Sequence, residues 1–173
     1  MSHPRIVGIG TANPLVRLTQ EQSFHVARYK GERIRKIFLN SDIDPRHFYL
    51  EGTLNRGESS DQLNQRYLRG AMQTGCRAIY NCLKSAGASV QDVDFLSVCT
   101  CTGYVCPDIV VASSRIWASV TTCRGRRSSA LDVREPFRQC SERLISFAQQ
   151  PGDWGVMVAL GPGMAAEVAL LRW

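Results

Sequence analysis

The pattern that most constrains this chain is a long helix with both ends marked. Ser59 followed three residues later by Gln62 is a capping box, the reciprocal pairing of side chains and backbone that opens many helices. From there Leu63, Tyr67, Ala71, Ala78, Ile79, Cys82 and Leu83 recur at helical spacing and give one apolar face. Gly87 closes the helix, because glycine takes the left-handed conformation of a helix end without steric cost. The flanks supply strands. Residues 93–100 are rich in β-formers and read as a buried strand; residues 6–9 read as a short buried strand, ended by Gly10 and turned by Asn13-Pro14. Strands alternating with helices indicate an α/β architecture.

Other local signals extend this reading. Thr19 with Gln22 makes a second capping box, opening a helix expected to run toward Phe38 with Gly31 as its weak point. Asp44-Pro45 marks a turn before His47-Phe48-Tyr49-Leu50. A short helix is expected between Arg138 and Ile145, with Pro136 at its start. Residues 156–160 and 168–171 read as paired strands around the turn Gly161-Pro162-Gly163.

At 173 residues, with 44% hydrophobic and 21% charged, the chain has the composition of a soluble globular domain with a core of its own. Its net charge of +6 is modest, but Arg115, Arg124, Arg126, Arg127, Arg134, Arg138 and Arg143 crowd one stretch against only Asp132, Glu135 and Glu142. Clustered arginines bind phosphates or nucleic acid, yet a charge run is more often a solvated face. No nucleic-acid module or interleaved aromatics accompany this one, so nucleic acid is not an expected partner. No run approaches the roughly 18 apolar residues of a membrane span. Thr11, Asn13 and Arg17 interrupt the apolar stretch a leader would need, so a cytoplasmic location without a membrane partner is expected. There the seven cysteines should be reduced thiols. Cys99, Cys101 and Cys106 are close enough to raise zinc binding, but Cys123 and Cys140 stand far apart and His3, His25 and His47 lack ligand spacing. No metal is expected. Cys76 and Cys82 fall in the helical pattern and read as small buried hydrophobes.

Four stretches then carry a resemblance. They are Val7-Gly8-Ile9-Gly10-Thr11-Ala12-Asn13-Pro14, Asp44-Pro45-Arg46-His47-Phe48-Tyr49-Leu50, Cys99-Thr100-Cys101-Thr102-Gly103-Tyr104-Val105-Cys106-Pro107, and residues 154–172 around Gly161-Pro162-Gly163. In this order they resemble the opening strand, the basic-then-aromatic segment, the loop after a central strand and the Gly-Pro-Gly loop of the type III polyketide synthases, the thiolase-like chalcone and stilbene synthase family. The resemblance implies a partial thiolase-like α/β fold, a layered αβαβα architecture with its central part missing. Residues 1–113 correspond to the N-terminal region, 125–173 to the C-terminal region, and 114–124 to a divergent junction. It implies coenzyme A (CoA) phosphate contacts at Arg46 and, less directly, Lys36. Cys101 and Thr102 would line the cavity, Cys106 would reach across a dimer into the partner's cavity, and Gly161, Pro162 and Gly163 would shape the cyclisation chamber. No cofactor is implied: acyl-CoA and malonyl-CoA are the family's substrates. The implied partners are CoA thioesters and a second synthase subunit, either another copy or a full-length synthase.

The family's activity is acyl transfer from CoA thioesters with decarboxylative condensation of malonyl-CoA. It uses a nucleophilic cysteine in a Gly-Cys-x-Gly-Gly-type motif and a His and an Asn that stabilise developing charge. This Cys-His-Asn set is not present. Cys123, in Thr122-Cys123-Arg124-Gly125, is the nearest imitation and lacks the small-residue loop that should follow; His3-Pro4 precedes the first strand. Gly125-Arg126-Arg127-Ser128-Ser129-Ala130 resembles the family's Gly-Asn-Met-Ser-Ser-Ala, with Arg126 bringing a charge to the place of the neutral amide. The expectation is a truncated, catalytically incomplete relative, internally deleted between about Ser113 and Gly125. The alternative is a non-catalytic protein that binds CoA or pairs with a synthase. Such a deletion should leave the strands at 6–9 and 95–100 with unpaired edges and expose the apolar face from Leu63 to Leu83.

Overall fold

The computed structural model describes residues 3–51, 57–100 and 151–173. In chain order it contains β1 (Arg5–Ala12), β2 (Val16–Thr19), α1 (Gln20–Val26), α2 (Glu32–Leu39), β3 (Pro45–Phe48), α3 (Ser60–Ala86), β4 (Phe95–Thr100), β5 (Trp154–Leu160) and β6 (Ala166–Arg172). Four strands form a mixed sheet in the order β1-β6-β5-β4, and β2 with β3 forms a separate antiparallel pair. β6 runs antiparallel between β1 and β5, while β5 runs parallel to β4. Strands from both ends of the sequence therefore share one ladder, and the fold is α/β.

The long helix forms where its caps place it. Ser59 N–H donates to Gln62 Oε1 (2.8 Å) and Gln62 N–H donates to Ser59 Oγ (3.3 Å). At the other end Gly87 turns left-handed at φ 65° and its N–H returns to Leu83 and Lys84. One face of α3, including Tyr67, Ala71, Ala78, Ile79, Cys82 and Leu83, is buried with Val156, Val158, Leu160, Val168 and Leu170 of the sheet in a single cluster. The expected exposure of this face does not occur, because the sheet covers it. Leu63 departs from the pattern and is 44% exposed. Tyr67, bonded to Thr100 at the last residue of β4, is the first buried residue of the helix.

β1 corrects two expectations. It continues through Gly10 to Ala12, because Gly10 acts as a point of close approach and does not break the strand. A Cβ there would lie 2.6 Å from Cys82 Cβ and would collide with Ala78 O and Cys82 N; a Cβ on Gly8 would lie 2.9 Å from Ala86 Cβ. The strand backbone rests directly on the helix, a contact that only glycine permits. Nor is β1 buried on both faces: Ile6 and Ile9 are 63% and 65% exposed. β1 stands at the sheet margin, and α3 covers only the face that carries its glycines.

That margin is not a bare edge. Asn81 Nδ2 donates to Thr11 O (3.0 Å) and Arg77 Nη1 to Asn13 O (3.3 Å). Ser85 shares its hydroxyl proton between Cys82 O (2.7 Å) and Ile9 O (3.2 Å). Residues one helical turn apart thus satisfy alternate outward carbonyls, which blunts the edge against strand addition. At the opposite margin Phe95, Ser97 and Cys99 of β4 each make further interactions.

The single helix expected from Thr19 to Phe38 is two helices. The Thr19 capping box is present, with Thr19 N–H on Gln22 Oε1 at 2.8 Å and Gln22 N–H on Thr19 Oγ1 at 3.2 Å. The chain then leaves helical geometry at Arg28 (φ 54°) and Gly31 (φ 108°). α2 folds back on α1 through an edge-on contact of Phe24 with Phe38, ring centroids 5.8 Å apart. β3 begins at Pro45 itself, where a missing N–H costs little at the start of a strand. The expected hairpin of β5 and β6 forms around the Gly161-Pro162-Gly163 turn, with Leu160 opposite Ala166. The helix expected between Arg138 and Ile145 lies outside the described residues.

Candidate functional site

The parallel strands β4 and β5 end side by side, Thr100 opposite Leu160. In α/β proteins the carboxyl ends of parallel strands are where ligand-binding groups gather. The turn leaving β5 is tightly tied: Gly161 N–H donates to Ala165 O at 2.8 Å and Met164 N–H to Gly161 O at 3.2 Å. Gly163 (φ 75°) and Met164 (φ 68°) are both left-handed. Gly163 is required twice over, because a Cβ would also stand 3.0 Å from His47 O. Met164 adopts a conformation that costs a side-chain-bearing residue about 1–2 kcal/mol, while it packs against the main core.

β3 is pinned on both sides. Its His47 carbonyl meets the Gly163 turn, and His47 Nδ1 donates to Pro14 O at 2.8 Å in the turn after β1. A carbonyl only accepts, so Nδ1 carries the proton. Next to it, Arg46 pairs in register with Leu18, is half-buried, and donates Nε–H to Gln20 Oε1 at 3.1 Å. Among the described residues no carboxylate lies within 4.0 Å of Arg46. The structure thus brings Arg46 and the Gly161-Pro162-Gly163 turn together through His47.

Lys36 stands apart in the last turn of α2, exposed and without an acidic partner among the described residues. Its neighbour Arg35 is neutralised, holding Glu21 through Nε (3.0 Å) and Nη2 (3.2 Å). That hydrogen bond keeps the Glu21 carboxyl below its ordinary range. Cys101, Thr102, Cys106, Cys123, Arg126 and the arginines of residues 115–143 lie outside the described residues.

Two side chains that the sequence marks only as helical positions shape this region. Tyr67 serves as an apolar position in the α3 pattern, yet its hydroxyl bonds Thr100 Oγ1 and anchors the end of β4 immediately before Cys101. Gln20 follows a cap and gives no signal of its own, although its amide holds Arg46. Cys82 is buried and Cys76 half-buried, and burial pushes both thiols above their ordinary range. Neither is an activated nucleophile. Among the described residues no group of three metal-capable side chains occurs, and no helix is long and apolar enough to cross a membrane.

No family model matches the chain. Over 109 residues it is 34% identical to a 3,5-dihydroxyphenylacetyl-CoA synthase of Amycolatopsis orientalis, a match covering 61% of this chain and 30% of that enzyme. The matched stretch therefore spans under a third of that relative's length. In fold, the chain resembles a type III pentaketide synthase from Neurospora crassa (TM-score 0.70, 13% identity, 97% of this chain and 55% of that one). It also resembles 1,3,6,8-tetrahydroxynaphthalene synthase from Streptomyces coelicolor, a bacterial type III polyketide synthase (TM-score 0.68, 16% identity, 95% and 55%). In its fold the chain is thus similar to the thiolase-like type III polyketide synthases, and over 109 residues its sequence is similar to that of a 3,5-dihydroxyphenylacetyl-CoA synthase.

Proposed function

We propose that this chain is a catalytically incomplete, internally shortened type III polyketide synthase relative that retains a binding site for CoA thioesters. The observation that carries the reading is Arg46: a half-buried guanidinium with no carboxylate partner among the described residues, one residue from the strand carbonyl that packs on the Gly161-Pro162-Gly163 turn. An arginine in that state is suited to phosphate oxygens. The relative's name, a CoA thioester synthase, supports the same ligand class. Lys36 would add a second cation, and Cys101, Thr102 and Cys106 would line the cavity that the resemblance implies. Acyl transfer and decarboxylative condensation need a thiolate nucleophile and neutral donors at the thioester oxygen. The 173 residues offer Cys123 without its loop and Arg126 in place of an amide.

The experiment has two arms. Incubated with malonyl-CoA and a range of acyl-CoA starters, the purified chain should yield no polyketide above a no-enzyme control. Product that disappears in Cys123→Ala would overturn the incompleteness and make Cys123 the nucleophile. In calorimetry the chain should bind CoA, and Arg46→Ala should weaken binding by about 1–3 kcal/mol, the range for a hydrogen bond to a charged group. A wild-type chain that binds no CoA removes the ligand assignment.

A further inference from the structure

Two arginines among the described residues are held in forks by carboxylates, and Arg46 is held differently. Arg35 gives its Nε and Nη2 to the carboxylate of Glu21, and Arg69 gives its Nε and Nη2 to the carboxylate of Glu51. In both, the positive charge is neutralised by the group that orients it. Arg46 is oriented through Nε alone, and its partner is the neutral amide of Gln20. Among the described residues its charge stays uncompensated and neither Nη group has a partner. The geometry leaves open the end-on fork formed by Nη1 and Nη2, which matches two oxygens of one phosphate.

The amide that holds Arg46 is itself fixed. Gln20 opens α1 directly after the Thr19 cap and is only 6% exposed. Its Nε2 donates to Ser41 Oγ at 2.7 Å and to Ile43 O at 2.6 Å, and its Oε1 accepts from Arg46. Chemistry settles which end is which: Ile43 O can only accept and Arg46 Nε can only donate. Ser41 passes its own proton to Phe38 O at 2.8 Å, in the last turn of α2. The amide's two N–H groups and its oxygen are all engaged, so rotating the side chain would strand buried polar groups. A single rigid hub therefore joins α1, the end of α2, the turn at residues 41–43 and β3. A glutamate would hold the arginine more strongly but would cancel its charge and could not donate to Ile43 O, and an apolar residue would make none of these bonds.

We propose that Gln20 is a positioning residue that holds Arg46 by its Nε as a neutral partner and presents its Nη fork, still fully charged, to a phosphate or diphosphate group. The identity of that group as part of CoA rests on the reading above; the hold on Arg46 does not. Gln20→Leu should remove the hold while filling the space. Gln20→Glu should keep the acceptor for Arg46 and cancel its charge, while giving up the donation to Ile43 O. Ile37→Ala, at an exposed position of α2 outside the hub, is the control.

The experiment combines a resonance with two ligands. In heteronuclear NMR of the whole chain, the Arg46 Nε–H signal, assigned by its loss in Arg46→Lys, should be exchange-protected in the wild type and in Ile37→Ala, and averaged with solvent in Gln20→Leu. Pyrophosphate and CoA are then titrated separately by calorimetry. Both should bind the wild type and Ile37→Ala alike, and both Gln20 variants about tenfold more weakly, a loss of one charge-assisted hydrogen bond's order. In an Arg46→Ala background Gln20→Leu should add nothing further, an outcome that a merely structural role would not produce. Circular dichroism confirms that each variant compared is folded. Pyrophosphate binding without CoA binding supports the inference and overturns the CoA reading. CoA binding that Arg46→Ala weakens and a folded Gln20→Leu does not overturns the inference and leaves the reading. An Arg46 Nε–H that exchanges as freely in the wild type as in Gln20→Leu overturns the inference, and failure to bind either ligand overturns both.

Discussion

Where α3 meets the sheet, Ala78, Cys82 and Leu170 are sealed from solvent and β1 comes so close that only glycine fits at position 10. The layer made by β2, α1, α2 and β3 is built differently. α2 buries none of its residues, and the layer is held by Gln20, by the Glu21–Arg35 pair and by a few ring contacts. The first arrangement stabilises by removing apolar surface from water and by close packing. The second contributes little burial but gives direction: it fixes polar groups at chosen angles and leaves Arg46 and Lys36 without carboxylates among the described residues. Stability and candidate chemistry are thus separated between two layers that meet at His47 and the Gly163 turn.

The sharpest way to break this comparison is to remove bulk from each layer. Leu170 is fully buried, and Leu170→Ala should cost about 2–5 kcal/mol, the lost transfer energy plus the cavity left behind. Ile37, 64% exposed on α2, should change stability by less than about 0.5 kcal/mol when replaced by alanine. Urea titrations of the two variants measure both numbers. Comparable losses would mean that α2 packs on something as firmly as the sheet does, and the division into layers would fall.

A second pair tests whether close approach, and not glycine content, governs the packed layer. Gly10→Ala drives a methyl into the α3 backbone and should destabilise by about 1–3 kcal/mol, the usual cost of overpacking. At Gly75, inside α3, an added methyl would meet only Leu160 Cδ2, at 4.0 Å, which is ordinary contact. Gly75→Ala should therefore stabilise by about 0.5–1 kcal/mol, because alanine is the better helix former. Thermal melts of the two variants should move in opposite directions. A shared direction would remove the close-approach argument for β1.

The two layers also differ in how much of them the sequence discloses. Both capping boxes, the Gly87 end and the hairpin turn are legible, because each rests on chemistry within a few residues. The apolar face of α3 is legible for the same reason of short period. What depends on distant partners is not: Gly10 looks like a strand breaker until Ala78 and Cys82 are placed beneath it. The alternation at β1 cannot say that Ile6 and Ile9 face away from α3, the helix that packs on that strand. The break after Val26 leaves one cue, Gly31, while the left-handed Arg28 gives none. Arg46 is reached through a family resemblance, whereas the amide that orients it is visible only once residues 20, 41, 43 and 46 are brought together.

The smallest effect concerns the seam between the layers, and it is a matter of pH. The segment following β3 lies on α3 with the Tyr49 ring against Gly70, where a Cβ would come within 2.7 Å of Tyr49 Cδ1. Glu51 fastens it, accepting from Arg69 Nε (2.8 Å) and Nη2 (2.5 Å) and from the Tyr49 hydroxyl (2.6 Å). The Arg69 bonds first, and the Tyr49 bond after them, lower the Glu51 carboxyl from 4.5 to about 2. Between those values the unfolded chain binds a proton that the folded chain does not, so stability rises with pH across that window. The contribution is complete above about pH 4.5 and is lost as pH falls through about 2. Glu51→Gln keeps the shape and an acceptor for Tyr49 but cannot titrate. Urea midpoints measured from pH 6 down to about pH 2 should therefore show the wild type ahead of the variant at the upper end and the gap closing as the acid end is approached. Because the pair is solvent-exposed, added salt should shrink the gap at every pH. A gap that stays constant through the acid range would show that Glu51 acts by shape alone, and the seam would then belong with the packed layer.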